Sequence, residues 1–182
     1  KNNNPGCAAK RKRGGTAKKS WQFNVEDVDT IVVGVNGEIT TFTLAVGTFL
    51  YFFKGKKEKN SGTFPTVEGD NPMFLQTANI VCYMSTPAER AAVQELATAQ
   101  DVGVILQEGD DQLTIWGLRA NASDFEDYGL IGSGDGGTGV NFNDLTSYNV
   151  ALKGNVPNFP VLYKPSQSLG TNIAELVAME AP

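Results

Sequence analysis

The residues of this chain that could do chemistry are few and scattered. Gly134-Asp135-Gly136-Gly137-Thr138-Gly139 matches G-x-G-x-x-G, the pattern of a dinucleotide-binding turn. That chemistry needs a strand before the glycines and a helix after them, so that the helix N-terminus meets a pyrophosphate. Val140-Asn141-Phe142-Asn143 follows instead, with no helical pattern, and the segment reads as a flexible loop. Asp124, Glu126 and Asp127 form an acidic cluster, and Asp110 and Asp111 an acidic turn. Carboxylates do general acid–base work only where a pocket raises a pKa, and turns favour Asp for conformational reasons, so both groups read as surface. Asp135 and Asp144 lack the repeated ligand spacing of a calcium loop. Asn121-Ala122-Ser123 fits a glycosylation sequon, which carries meaning only in a secreted chain. Histidine is absent, and with it the commonest general base near neutral pH and the commonest metal ligand. The expectation is no enzymatic activity, no cofactor and no metal.

Charge is more strongly patterned. Residues 1–19 hold seven basic side chains (Lys1, Lys10, Arg11, Lys12, Arg13, Lys18 and Lys19) and no acid. The remaining chain holds eight basic and twenty acidic side chains, a net of −12. A basic arm on an acidic body suits an acidic protein surface at least as well as a phosphate backbone. The arm has no aromatic residue on which bases could stack, which weakens single-strand binding. The basic stretch Lys56, Lys57 and Lys59 lies in a polar segment read as a mobile tip.

The 182 residues, 41% of them hydrophobic and 19% charged, make one domain with its own core rather than a disordered chain. No apolar run approaches the ~20 residues of a membrane span, and the first twenty residues lack the apolar segment of a secretion signal. Two cysteines, Cys7 and Cys82, make no disulfide framework, which fits assembly inside a cell.

The elements that position these residues read mostly as strands. Trp21-Gln22-Phe23-Asn24-Val25 alternates with period two. Asn36-Gly37 between 30–35 and 38–44 signals a hairpin with two positive-φ residues. Ile39 and Phe42 do not share a face under strict alternation, which points to a bulge or to an environment apolar on both sides. Phe49, Tyr51 and Phe53 alternate with Leu50 and Phe52, a strand apolar on both faces and expected to be covered by core on one and by a neighbour on the other. Residues 48–68 read as a long hairpin. Asn79 to Met84 is a further strand. Thr86-Pro87-Ala88-Glu89 starts a helix over about 87–99, with Ala92, Val93, Leu96 and Ala99 as its apolar stripe. Residues 104–107 and 112–118 flank a turn, a glycine-rich loop spans about 121–143, and strands follow at 147–153 and 159–163. Asn172 to Met179 reads as a short helix at an interface.

This order predicts a mainly β fold: a β-sandwich or barrel with one packed α-helix, carrying extended N- and C-terminal arms. The divisions are 1–19 as basic arm, 20–165 as assembly domain and 166–182 as C-terminal arm. The order of elements resembles the tail tube proteins of long-tailed phages and contractile injection machines. Asn24-Val25-Glu26-Asp27-Val28-Asp29, the turn Asn36-Gly37-Glu38-Ile39, Trp116-Gly117-Leu118 with its glycine-rich loop, and Ser147 to Gly154 are similar to small virion proteins of phages infecting Bacteroides-type bacteria. The resemblance covers about 20–165 and implies a virion protein assembled in the host cytoplasm. It implies copies joined into rings, commonly six-fold, stacked around a channel through which DNA passes without specific contact. Other virion components (a tail terminator, head–tail connector or capsid decoration protein) and a nucleic-acid-binding module stand as alternatives. Candidate interface residues are Lys10, Arg11, Lys12, Arg13, Lys18, Lys19, Phe49, Tyr51, Phe53, Lys56, Lys57 and Lys59.

Overall fold

The computed structural model describes residues 16–54, 60–69, 73–83, 86–109, 112–120, 125–137, 147–166 and 168–181. The expected alternation around Trp21 produces β1 (Thr16–Asn24), which a turn of 3-10 helix (Val25–Asp27) joins to β2 (Val28–Val33). β1 begins inside the expected arm, so Thr16 to Lys19 belong to a sheet.

β2 and β3 (Ile39–Leu44) form the hairpin signalled by Asn36-Gly37. Gly37 takes φ 85°, whereas Asn36 is not in the positive-φ region. The Gly34 N–H donates to the Glu38 carbonyl at 2.7 Å, and the Gly37 N–H to the Gly34 carbonyl at 3.0 Å. This is a three-residue loop in which glycine alone supplies the left-handed residue, not the expected two-residue turn. The register shifts between Val32 and Val33, and this bulge lets both Ile39 and Phe42 face the core.

The expected hairpin over 48–68 does not form. β4 (Tyr51–Lys54) pairs with β1, while β5 (Ser61–Thr63) and β6 (Thr66–Val67) pair with β7 (Met73–Tyr83) in another sheet. Gly62 permits this placement, because a Cβ there would lie 2.4 Å from the Trp116 ring. α1 (Pro87–Thr98) has the expected capping box. The Glu89 N–H donates to Thr86 Oγ1 at 3.2 Å and the Thr86 N–H to Glu89 Oε2 at 2.8 Å.

β8 (Val102–Glu108) and β9 (Leu113–Trp116) form a hairpin, and Gly117 at φ 86° ends β9. β10 (Leu118–Ala120) then leaves to pair with β11 (Phe125–Asp127), so 112–118 is not one strand. β12 (Ile131–Gly137) pairs antiparallel with β13 (Ser147–Val156), and β14 (Val161–Tyr163) precedes α2 (Leu169–Ala178).

The fold is mainly β, with two helices and no closed barrel among the described residues. The large sheet runs β2-β3-β14-β9-β8-β1-β4 and is mixed, because β14 lies parallel to β3. A second, antiparallel sheet runs β12-β13-β7-β5, with β6 also on β7. Two cores result. Trp21, Phe23, Ile39, Ile105 and Ile115 pack with Leu176 of α2. Val104, Leu106 and Trp116 pack with Ile80, Val150 and Leu152 of the second sheet and with Val93 and Leu96 of α1. Both faces of β8 are thus covered, which is why its sequence is a continuous apolar run rather than an alternation.

The short helix expected at 172–179 forms as α2, a second helix beside α1, but it packs into the body instead of belonging to an extended C-terminal arm. Leu176 is fully buried, and Ile173 and Leu169 pack against the same core. Buried Asn172 accepts from the Ser166 N–H at 2.9 Å and donates to the Ser166 carbonyl at 3.2 Å, which fixes the approach to the helix. Beyond it, the Leu50 N–H donates to the Met179 carbonyl at 2.8 Å and the Ala181 N–H to the Leu50 carbonyl at 3.1 Å. Trp21 Nε1 donates to Glu180 Oε1 at 2.8 Å. The apolar spacing of Leu169, Ile173 and Leu176 places this segment in the body.

Candidate assembly surface

β4 stands at one end of the large sheet, hydrogen-bonded to β1 alone along its length. Exposure along it does not follow the pleat alone. Leu50, just before the strand, is fully buried, while Phe49 is 39% and Tyr51 50% exposed. Phe52 sits 5.7 Å from Trp21, ring centre to ring centre, yet stays 39% exposed. Phe53 is half-buried against the core shared by the two sheets. One chain alone therefore covers Leu50 and much of Phe53, and leaves Phe49, Tyr51 and Phe52 in contact with solvent.

The backbone of the edge follows the same division. The Leu50 N–H and carbonyl face outward and are taken by Met179 and Ala181. Outward groups recur every second residue along a strand, so those of Phe52 face away from β1 as well. No strand among the described residues lies beyond them.

A crevice runs between β4 and α1. One end has a cavity of about 140 Å³ whose walls include Gln22, Asn24, Tyr51, Phe53, Glu95 and Leu96. The other end, about 460 Å³, lies among Phe52, Cys82, Glu89, Val93 and Glu180. Burial pushes the Cys82 thiol up to about 11, so it is protonated and inert near neutral pH. Gln22 is 2% exposed, and its Oε1 is buried with no hydrogen-bond partner although its Nε2 donates to Ser20 Oγ at 3.1 Å.

A second apolar surface lies on the other sheet. Phe159 packs 4.5 Å from Phe74 and 5.1 Å from Phe64, whose ring lies 5.9 Å from Trp116. Phe64 is 42% and Phe159 57% exposed.

Of the residues singled out from sequence, Phe49, Tyr51 and Phe53 lie together at this edge. Lys19 is half-buried on β1 opposite Lys54. Lys18 lies in β1, and Lys10, Arg11, Lys12, Arg13, Lys56, Lys57 and Lys59 lie outside the described residues. Of the acidic cluster, Glu126 pairs with Arg119 at 3.0 Å across β10 and β11 and accepts from the Tyr128 hydroxyl at 3.0 Å. Asp110, Asp111 and Asp124 fall outside the described residues. The first four residues of the G-x-G-x-x-G match, Gly134 to Gly137, form the end of edge strand β12 rather than a loop. A Cβ at Gly134 would meet the Tyr148 ring at 2.4 Å, which gives that glycine a packing reason. Among the described residues, no group of three His, Cys, Asp or Glu could hold a metal. Phe64, Phe159, Gln22, Glu95 and Glu180 carry no signal in the sequence, since each gains its place only through contacts distant in the chain. Comparison with family models, curated proteins and solved structures finds no match to this chain.

Proposed function

We propose that the chain is a structural subunit of a phage virion, a tail-tube-like protein. Its two sheets act as a β-sandwich, and copies join through their edges into stacked rings around a DNA channel. The observation that carries this reading is the β4 edge, beyond which no strand lies among the described residues, with Phe49, Tyr51 and Phe52 each at least 39% exposed beside it. An unguarded strand edge flanked by aromatic side chains is a template for another chain, and monomers normally blunt it with charge, proline or a covering element. The net charge of −12 outside residues 1–19 supports the same reading, because an acidic lumen repels phosphate and lets DNA slide.

Light scattering on the purified protein, with negative-stain microscopy of the same sample, tests the proposal. Rings or tubes with a central channel are expected. A monodisperse monomer at high concentration refutes ring assembly. Salt-sensitive DNA binding by that monomer, lost on removal of residues 1–19, would then favour the nucleic-acid module.

A further inference from the structure

Asn36-Gly37 is the only Asn-Gly pair in the chain, and it carries chemistry beyond the shape of its turn. The backbone nitrogen that follows an asparagine can attack the carbon of the asparagine side-chain amide. The N–Cγ bond forms, the Cγ–Nδ2 bond breaks, and Nδ2 leaves as ammonia with the proton of the attacking nitrogen. Water then opens the five-membered imide. Opening at Cγ gives aspartate, and opening at the main-chain carbonyl gives isoaspartate, in which the backbone runs through the side chain. Glycine hinders its own nitrogen least, because it has no side chain. Asn36 is exposed, and nothing lies within 4 Å of where a Cβ on Gly37 would sit. Asn24, Asn79, Asn149 and Asn155 each precede valine or isoleucine, whose branching crowds the attacking nitrogen. Asn60 precedes the small Ser61, but it is 2% exposed and its Oδ1 accepts from the Val81 N–H at 3.0 Å.

We propose that Asn36 is a site of covalent modification by this route, and that the folded β2–β3 turn holds the reaction off. Three contacts oppose the attack. The Gly37 nitrogen must give up its proton, and that N–H is bonded to the Gly34 carbonyl at 3.0 Å. The Asn36 amide donates through Nδ2 to Glu38 Oε1 at 3.4 Å, which keeps the side chain turned toward Glu38. The Gly34 N–H donates to the Glu38 carbonyl at 2.7 Å and closes the loop. The backbone rotation that brings the Gly37 nitrogen onto Cγ therefore works against a closed hairpin.

The product fits the turn less well than the asparagine does. Aspartate at position 36 sets a carboxylate where the amide donated, facing Glu38, whose own Oε2 is buried without a hydrogen-bond partner. Like charges then meet where a hydrogen bond was made. Isoaspartate also lengthens the backbone of a loop whose length sets the hairpin register. The bulge between Val32 and Val33 lies beside that loop, and it places Ile39 and Phe42 in the core. The modification is therefore one-way. A chain whose hairpin stays open is modified, and the modified chain closes its hairpin less readily. This inference is independent of the assembly reading.

Timed incubation of the full-length protein in mildly alkaline buffer, with and without denaturing urea, tests the proposal. Peptide mapping by mass spectrometry follows amide-to-acid conversion at every asparagine, and an isoaspartate-specific methylation assay follows the rearranged product. In urea, Asn36 should convert before any other asparagine. Without urea its conversion should be at least about fivefold slower, the size of one net hydrogen bond. Glu38→Ala frees the Asn36 amide and should narrow that ratio. Asn36→Asp should lower the folded-to-unfolded ratio in denaturant melts by at least about twofold. Equal rates with and without urea would show that the turn protects nothing. Earlier conversion of another asparagine in urea would remove Asn36 as the preferred site. Either result overturns the proposal, and an Asn36→Asp protein as stable as wild type refutes the one-way consequence.

Discussion

Serine substitutions in the aromatic strand separate the fold from the assembly surface, because alternate residues point to different places. Leu50→Ser with Phe52→Ser strikes the core at Leu50, and removes from the assembly surface the Phe52 ring on the same face, which is 39% exposed. Leu50 is fully buried beside the C-terminal segment that bonds its backbone. Losing the leucine side chain costs about 2–5 kcal/mol. An unpaired hydroxyl in that site adds about 1–3 kcal/mol. The sum, about 3–8 kcal/mol, rivals the whole ~5–15 kcal/mol stability of a domain. Phe49→Ser with Tyr51→Ser instead removes side chains already 39% and 50% exposed, at about 1 kcal/mol or less each. Denaturant titration followed by the fluorescence of buried Trp21 and Trp116 reads stability, and light scattering reads assembly. The first pair should abolish or nearly abolish the folding transition. The second should keep the transition and lose association. A Leu50→Ser/Phe52→Ser protein that melts like wild type, or a Phe49→Ser/Tyr51→Ser protein that has no transition, would refute this division of the strand.

Other perturbations probe the rest of the architecture. Leu176→Ala should destabilise by about 3–5 kcal/mol in denaturant melts; a loss below about 1 kcal/mol would mean that α2 is peripheral. Gly103→Ala should cost at least about 1–3 kcal/mol, because the added methyl would lie 2.2 Å from the Phe23 ring. Thr86→Ala should cost about 1 kcal/mol by removing the acceptor of the capping box. Burial and the neighbouring Glu175 carboxylate, which accepts from the hydroxyl at 3.1 Å, hold the Tyr163 phenol above its ordinary value. The unfolded chain then ionises first, so stability should fall as pH rises above ~10, by at most about 1.4 kcal/mol per unit from this group. Tyr163→Phe should flatten that slope in melts taken between about pH 9 and 11; an unchanged slope would remove Tyr163 as its source.

Local chemistry is legible from sequence and long-range placement is not. The Thr86 to Glu89 cap, the Ile39/Phe42 bulge and the β8–β9 hairpin are written within a few residues, where propensity and periodicity act directly. The glycine-rich stretch misleads because Gly132 and Gly134 are there for space, not for flexibility. A Cβ on Gly132 would meet the Leu96 carbonyl at 2.4 Å, a clash with a helix far back in the sequence. The segment after Tyr163 reads as an arm because its apolar residues find their partners on β1 and beside β4, at the opposite end of the chain. The candidate surface is half legible: the alternation of Phe49, Tyr51 and Phe53 is visible, but which face stays open depends on where Met179 to Ala181 lie.

The treatment of the sheet edges explains why β4 is the one to test for association. β2 closes the far end of the large sheet and presents exposed Asp29 and Thr30, polar residues that discourage pairing. β5 and β6 span three and two residues, too short to template a neighbour. β12 is longer but contains four glycines, whose backbone freedom makes added pairing entropically costly. β4 is also short, yet it combines an outward backbone at Phe52 with exposed aromatic surface, while Met179 and Ala181 hold the Leu50 backbone. With that backbone already held, a strand added to β4 would pair from Phe52 onward, beside the exposed aromatic side chains.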